Sequence, residues 1–180
     1  MKVLLHVCCG PCASACVRRL AADGHEVTMF FSNSNIDSEE EFVRRREAAA
    51  KLAEADGAEF VCDGYDHERW LAEVAEGREG EPEKGERCRR CYRYNIARAA
   101  EYARENGFDA VASSLTVSPH KPSRAVFSAG EEAVAEFSPV AFLREDFKKR
   151  EGFKISVSRT RELGLYRQDY CGCEFSRRSR

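Results

Sequence analysis

The sequence has no run of about 18 apolar residues, which excludes a helix that spans a bilayer, so no membrane partner is expected. No secretory leader is expected either, since the apolar stretch after Met1-Lys2 is too short and no small-residue cleavage pattern follows it. No GxGxxG follows a strand-like segment, which removes the nicotinamide and flavin fingerprint. No GxxxxGK[ST] is present to cradle a nucleoside triphosphate. Internal repeats are missing, and nothing marks a second domain; 180 residues suit one domain, 1–180, with its own core. With neither leader nor span, the chain is expected in the cytoplasm, where thiols stay reduced.

Cysteine, by contrast, is abundant. Nine is an odd number, which fits a disulfide framework poorly. Seven of the nine fall in three tight groups: Cys8-Cys9-Gly-Pro-Cys12, Cys88-x-x-Cys91 and Cys171-Gly-Cys173. Each group is of a kind that clamps metal, and seven thiols exceed the four that a structural zinc uses. An iron–sulfur cluster, or a cluster with a second metal, accounts for the excess. Adjacent side chains diverge, so Cys8 and Cys9 suit two neighbouring metals better than one small site. Cys16 and Cys62 read as core thiols rather than ligands. Asp37, Asp66 and His6 could lend an oxygen or nitrogen, but each residue type is more often structural.

Net charge is −2 and unevenly spread. Residues 1–86 carry 10 basic and 19 acidic side chains, a net of −9; residues 87–143 have a net of +2 and residues 144–180 a net of +5. The second half, with Arg177, Arg178 and Arg180 as a short tail, offers a surface for a polyanion; the bland reading is a solvated face.

Hydrophobic patterning gives alternating strands and helices. Lys2–Val7 reads as a buried strand, Cys8–Pro11 as a turn, and Cys12–Ala22 as a helix with Pro11 near its first turn. Glu26–Phe31 is a second strand, and Ser38-x-x-Glu41 is a capping box before a helix that ends at Asp56-Gly57. Strands at 58–62, 109–114 and 140–143 and helices near 67–75, 89–106, 123–136 and 155–163 complete the reading. The stretch 77–85 (GREGEPEKG) reads as a mobile loop leading into Cys88. Continuous apolar strands alternating with helices predict an α/β fold, a Rossmann-like parallel sheet covered on both faces. Ligands of such folds bind at the carboxyl ends of the strands, where Cys8, Cys9 and Cys12 fall. His120-Lys121, after the fourth strand, and Arg167-Gln168, before the last thiols, are candidate substrate contacts.

Across nearly its whole length the sequence is similar to the epoxyqueuosine reductase QueH family. The likeness rests on LLHVCCGPC (4–12), NSNI (33–36), Tyr65-Asp66 with Trp70, Arg87-Cys88-x-x-Cys91, LTVSPHK (115–121) and GLYRQDYCGC (164–173). The last stretch is the most specific, since no generic metal site requires it. The resemblance implies a nucleotide-hydrolase-like α/β fold and a cobalamin-independent reductase. Its reaction would convert epoxyqueuosine, at the wobble position of a tRNA anticodon, to queuosine. It also implies a [4Fe–4S] cluster and a second, mononuclear iron held by Cys8, Cys9, Cys12, Cys88, Cys91, Cys171 and Cys173, for instance four thiols to one and three to the other. Lys121, Tyr166, Arg167 and Gln168 are then the expected substrate-binding residues, with tRNA and an external electron donor as partners. Two other readings compete: a zinc-stabilised RNA-binding module, and an iron–sulfur tRNA thiolase, against which the missing phosphate loop speaks.

Overall fold

The computed structural model describes residues 1–177; Arg178 and Arg180 of the basic tail lie outside the described residues. Five strands, β1 (Lys2–Val7), β2 (Glu26–Phe31), β3 (Glu59–Cys62), β4 (Ala110–Ser113) and β5 (Ala141–Phe142), form one parallel sheet in the order β3-β2-β1-β4-β5. The helices are α1 (Gly10–Ala22), α2 (Glu39–Asp56), α3 (His67–Trp70), α4 (Glu86–Glu105), α5 (Ser123–Ala135), α6 (Gly152–Glu162) and α7 (Glu174–Arg177). A π-helical turn, Leu71–Ala75, extends α3, and a 3₁₀ turn, Ser114–Val117, follows β4.

The period of two along each strand sorts side chains to two cores. Val3, Leu5 and Val7 of β1 join Met29 and Phe31 in packing on α1 and α2 through Ala13, Val17, Leu20, Phe42, Ala49 and Leu52. Leu4 and Phe30 point the other way, onto Ile96, Ala99 and Ala103 of α4 and Val126 and Ala129 of α5. Each fully buried aliphatic side chain contributes roughly 1.5–3 kcal/mol, so burial on two faces explains why these strands are apolar throughout. Ser38 caps α2, its hydroxyl accepting the Glu41 N–H at 3.3 Å, and Gly57 stops it with φ +63°. Where α1 crosses α2, a Cβ on Gly10 would lie 2.6 Å from the Ala48 carbonyl oxygen, so any larger residue would force the helices apart.

Two sequence expectations shift. The fourth helix starts at Glu86 rather than near Arg89, which puts Cys88 within its first turn instead of ahead of it, along with Cys91 one turn on. The stretch 77–85 is loop, but it is tied down: the buried Arg87 guanidinium donates to the carbonyls of Arg78, Glu79 and Glu81 at 2.7, 3.4 and 2.8 Å. The short α7 has too little periodic sequence to show in advance.

Candidate metal centre and active site

The chain runs outward from β1 through β2 to β3, then returns to lay β4 on the other side of β1. The crevice at the carboxyl ends of β1 and β4 is therefore the switch point of the sheet. Buried polar groups fix its floor. His6 bridges the Ser113 hydroxyl (3.0 Å) and the Ser32 carbonyl (3.1 Å), and the Asn33 amide donates to the Val7 carbonyl at 2.8 Å. Burial holds His6 below its ordinary pKa, which suits a neutral ring in this role.

Cys8, Cys9 and Cys12 stand on this floor with their sulfurs within 4.8 Å of one another, so the adjacent Cys8 and Cys9 face one site and do not diverge toward two metals as their adjacency suggested. Cys9 is the N-cap of α1: its sulfur accepts the Cys12 N–H at 3.4 Å, and extended backbone at Cys9 turns the chain into Gly10-Pro11. Cys8 donates its own N–H to the Ser114 hydroxyl (3.0 Å), whose proton faces the Cys8 sulfur at 3.3 Å. Hydrogen bonds from Cys12 and Cys8 hold Cys9 well below the usual thiol range. Bonds with Cys8 and then Cys9, with burial adding to them, push Cys12 well up. For Cys8 the Cys12 bond acts downward, but contact with Cys9 and burial outweigh it, and the thiol is pushed up to about 11. Cys9, whose pKa is lowered, is the residue that caps the N-terminus of α1, where the helix dipole favours an anion.

A second group of four thiols faces it. Cys88 accepts the Lys84 backbone N–H at 3.3 Å, and Cys91, one turn on, accepts the Asn95 amide at 3.6 Å. Cys171 and Cys173 come from the segment that crosses back over the strand ends. Buried Arg45 of α2 pins that segment, donating to the Cys171 carbonyl at 2.8 Å and the Tyr170 carbonyl at 3.4 Å while pairing with Glu41 at 2.7 Å. Asp37 donates its N–H to the Gly172 carbonyl at 2.9 Å. Gly172 has φ +139° and lies tight against Asn35 and Arg45, a place and a conformation open to glycine alone. Burial pushes Cys91 well up, and the Cys171, Cys173 and Cys88 charges add to it; burial and then Cys171 raise Cys173 to about 11. The charges of these four thiols act on one another, but among the described residues only Cys8, Cys9 and Cys12 bring their sulfurs all within 4.8 Å of one another.

Between the two groups opens a cavity of about 660 Å³, lined by Cys8, Cys9, Cys12, Cys88, Cys91 and Cys171. Cys173 packs just behind, against Trp70 and Phe175. Lys121, His120, Arg167 and Gln168 also line the cavity. Gln168 reaches Cys9, and its amide oxygen is buried without a partner, as is that of Asn95. Residues 3–179 match the family described as Epoxyqueuosine reductase QueH. The chain belongs to the QueH family. Among curated relatives, Epoxyqueuosine reductase QueH of Histophilus somni is 34% identical over 177 residues, covering 98% of this chain and 72% of that one. The Haemophilus influenzae protein of the same name is 33% identical, with the same coverage. That of Streptococcus pyogenes is 36% identical over 181 residues, covering 97% of this chain and 70% of its own. A solved structure, the zinc inhibited form of teicoplanin deacetylase Orf2, aligns at 13% identity over 78% of this chain and 66% of that one, with a TM-score of 0.49; at that distance it bears on nothing further.

The resemblance to QueH implies an iron–sulfur cluster and a second iron, and the donor set fits both. Six soft thiol donors line one cavity, three of them gathered as a triad, and Cys173 lies outside its lining, with N–H groups of Asn95, Lys84 and Lys121 directed at sulfur. Among the residues expected at a QueH substrate site, Tyr166 is not brought to the cavity. Its hydroxyl donates to the Glu41 carboxylate of α2 (2.9 Å), and Arg44 covers its ring. The weaker ligand candidates also have structural partners: Asp37 binds Tyr170 and Arg177, and Asp66 caps α3. Cys16 is buried as expected, whereas Cys62 is exposed at the end of edge strand β3, not in the core. Arg45, Arg87 and Asn95 escaped sequence reading. A charged or amide residue on a helix looks solvated until its distant partners are known.

Proposed function

We propose that this chain reduces the epoxide of epoxyqueuosine, at the wobble position of a tRNA anticodon, to the cyclopentene of queuosine, without cobalamin. The carrying observation is the convergence of six cysteines from three remote stretches of sequence around one cavity at the strand ends, with a seventh, Cys173, against the adjoining Trp70 cluster. The name shared by the relatives supports the reaction. The balance is epoxide plus two electrons and two protons to alkene plus water, with the electrons drawn from an external donor.

Cys88, Cys91, Cys171 and Cys173 would hold one metal group and Cys8, Cys9 and Cys12 the other, the three-thiol site keeping a position open. When bound, a [4Fe–4S] cluster and a mononuclear iron supply single electrons and Lewis acidity toward the epoxide oxygen. The protein's own groups do the rest. At about 660 Å³ the cavity suits a modified base and draws it away from water. The partnerless amide oxygens of Asn95 and Gln168 accept N–H groups of a guanine-like base edge. Lys121 brings a positive charge to where the alkoxide develops, and a proton for it. No helix among the described residues is long and apolar enough to cross a membrane, in keeping with a cytoplasmic enzyme acting on tRNA.

The test is purification without oxygen, then iron, sulfide and zinc content, the visible spectrum, and mass spectrometry of nucleosides from tRNA carrying epoxyqueuosine after incubation with a reductant. Brown protein with sulfide and more than four irons per chain, converting the epoxide without cobalamin, is the expected result. Colourless protein with a single zinc would overturn it in favour of a zinc-stabilised RNA-binding module. ATP-dependent sulfur insertion would favour the thiolase.

A further inference from the structure

Among the described residues only three large apolar side chains are exposed: Met1, Phe153 and Ile155. Phe153, 37% exposed, also lines the cavity, together with Ser156, Val157 and Thr160. These four positions, spaced three, four and seven apart, make one face of α6. An apolar ring left open at the rim of a functional cavity calls for an occupant.

The ring is held in place, although it is exposed. A Cβ on Gly152 would fall 1.7 Å from the Phe147 carbonyl oxygen, so the start of α6 sits hard against the preceding turn. Arg19 of α1 donates to the Asp146 carbonyl at 3.2 Å and to that of Lys149. One turn past Phe153, the Ser156 hydroxyl donates to the Pro11 carbonyl and meets the Ser14 hydroxyl at 3.3 Å. Pro11 belongs to the same turn as Cys9 and Cys12, so the ring and the thiol triad form one rigid piece. The Arg167 guanidinium lies 5.6 Å from the ring centre, and exposed Lys149 and Arg150 precede the helix. The nearby Glu151 carboxylate is paired with Lys154.

We infer that Phe153, with Arg167 beside it, is a stacking platform for an anticodon-loop base next to the one being reduced. A base drawn into the cavity leaves its neighbour without a stacking partner. A fixed aromatic ring at the rim, flanked by cations that meet phosphate, replaces that partner without reading sequence. The inference rests on the proposed tRNA substrate and adds a contact outside the reacting base.

The experiment measures binding of a fluorescent anticodon stem-loop RNA to the metal-loaded protein across a salt series, for wild type, Phe153→Ala, Phe153→Tyr and Arg167→Ala. 2-Aminopurine at the loop positions flanking the wobble base reports stacking. Phe153→Ala weakens binding about tenfold, the scale of one lost base stack, and releases 2-aminopurine quenching at one flanking position. It leaves the salt slope unchanged, because no charge is lost. Phe153→Tyr restores both readouts, and Arg167→Ala flattens the slope. Equal RNA binding by wild type and Phe153→Ala overturns the platform and leaves the reductase reading standing. So does a shift from dimer to monomer in Phe153→Ala with RNA binding unchanged, which would make the ring a contact between copies. Failure of the wild type to bind the stem-loop removes the tRNA reading and this inference together.

Discussion

The Lys121 ammonium lies 3.2 Å from the Cys171 sulfur. Burial alone would make the lysine easier to deprotonate, but the charges of Cys171, Tyr92 and Cys8 prevail and hold it well above its ordinary range. Lys121 therefore stands charged between the two thiol groups.

Replacing Lys121 with Met keeps the stem and removes the charge. Turnover is expected to fall about 10²-fold, the usual cost of losing one donor to a developing oxyanion. Substrate affinity should change far less. Single-turnover kinetics on protein of matched iron content checks this. A parallel loss of iron would place the lysine in the service of the thiols instead.

Single Cys→Ser changes at Cys8, Cys9, Cys12, Cys88, Cys91, Cys171 and Cys173 should each lower bound iron and sulfide. Cys62→Ala, on the exposed end of β3, should leave both at the wild-type level. Iron and acid-labile sulfide assays on anaerobic protein separate the seven from Cys62.

Arg45→Leu removes the cation from a pair in which Arg45 is 2% and Glu41 6% exposed. An uncompensated buried carboxylate costs about 3–5 kcal/mol. It also frees the carbonyls of Tyr170 and Cys171, so cluster retention should suffer as well. Urea denaturation of metal-free protein measures the first effect, and iron retention after reconstitution the second.

Asp63, at the end of β3, accepts two bonds from Arg98, at 2.9 and 2.8 Å, and one from Ser32. Burial raises its pKa, but these partners win, and the carboxyl is held below its ordinary value. A depressed folded-state pKa means stability that is full above the unfolded value of about 4 and is lost as pH falls through the folded one. The stability gap between wild type and Arg98→Met should therefore be constant above about pH 5 and close at lower pH. Denaturation curves from pH 7 down to about pH 3 read it directly.

Local signals in the sequence were enough to place β1, β2, the Ser38 cap and the Gly57 stop, because each depends on neighbours within a few residues. Cysteine spacing marked the three thiol groups for the same reason. The place of Lys121 beside Cys171, on the cavity that six of the thiols line, was not legible, since it depends on which strand ends meet. Tyr166 illustrates the limit. Its place in the GLYRQDYCGC stretch suggested substrate, yet one residue decides the face: Arg167 turns to the cavity while Tyr166 turns to Glu41. The burial of Arg45 was not legible because its carbonyl partners, at Tyr170 and Cys171, lie in a segment that only the fold brings close.

The segment that Arg45 pins sets an order of events during synthesis. At about 5–20 residues per second, on the order of ten seconds separate the making of Cys12 from that of Cys171. The triad's corner, built from β1 and α1, is translated long before the thiols that close the opposite wall. The three thiols of the triad are therefore made first, yet the corner that gathers them also waits for β4 and Ser114, which hold Cys8 in place.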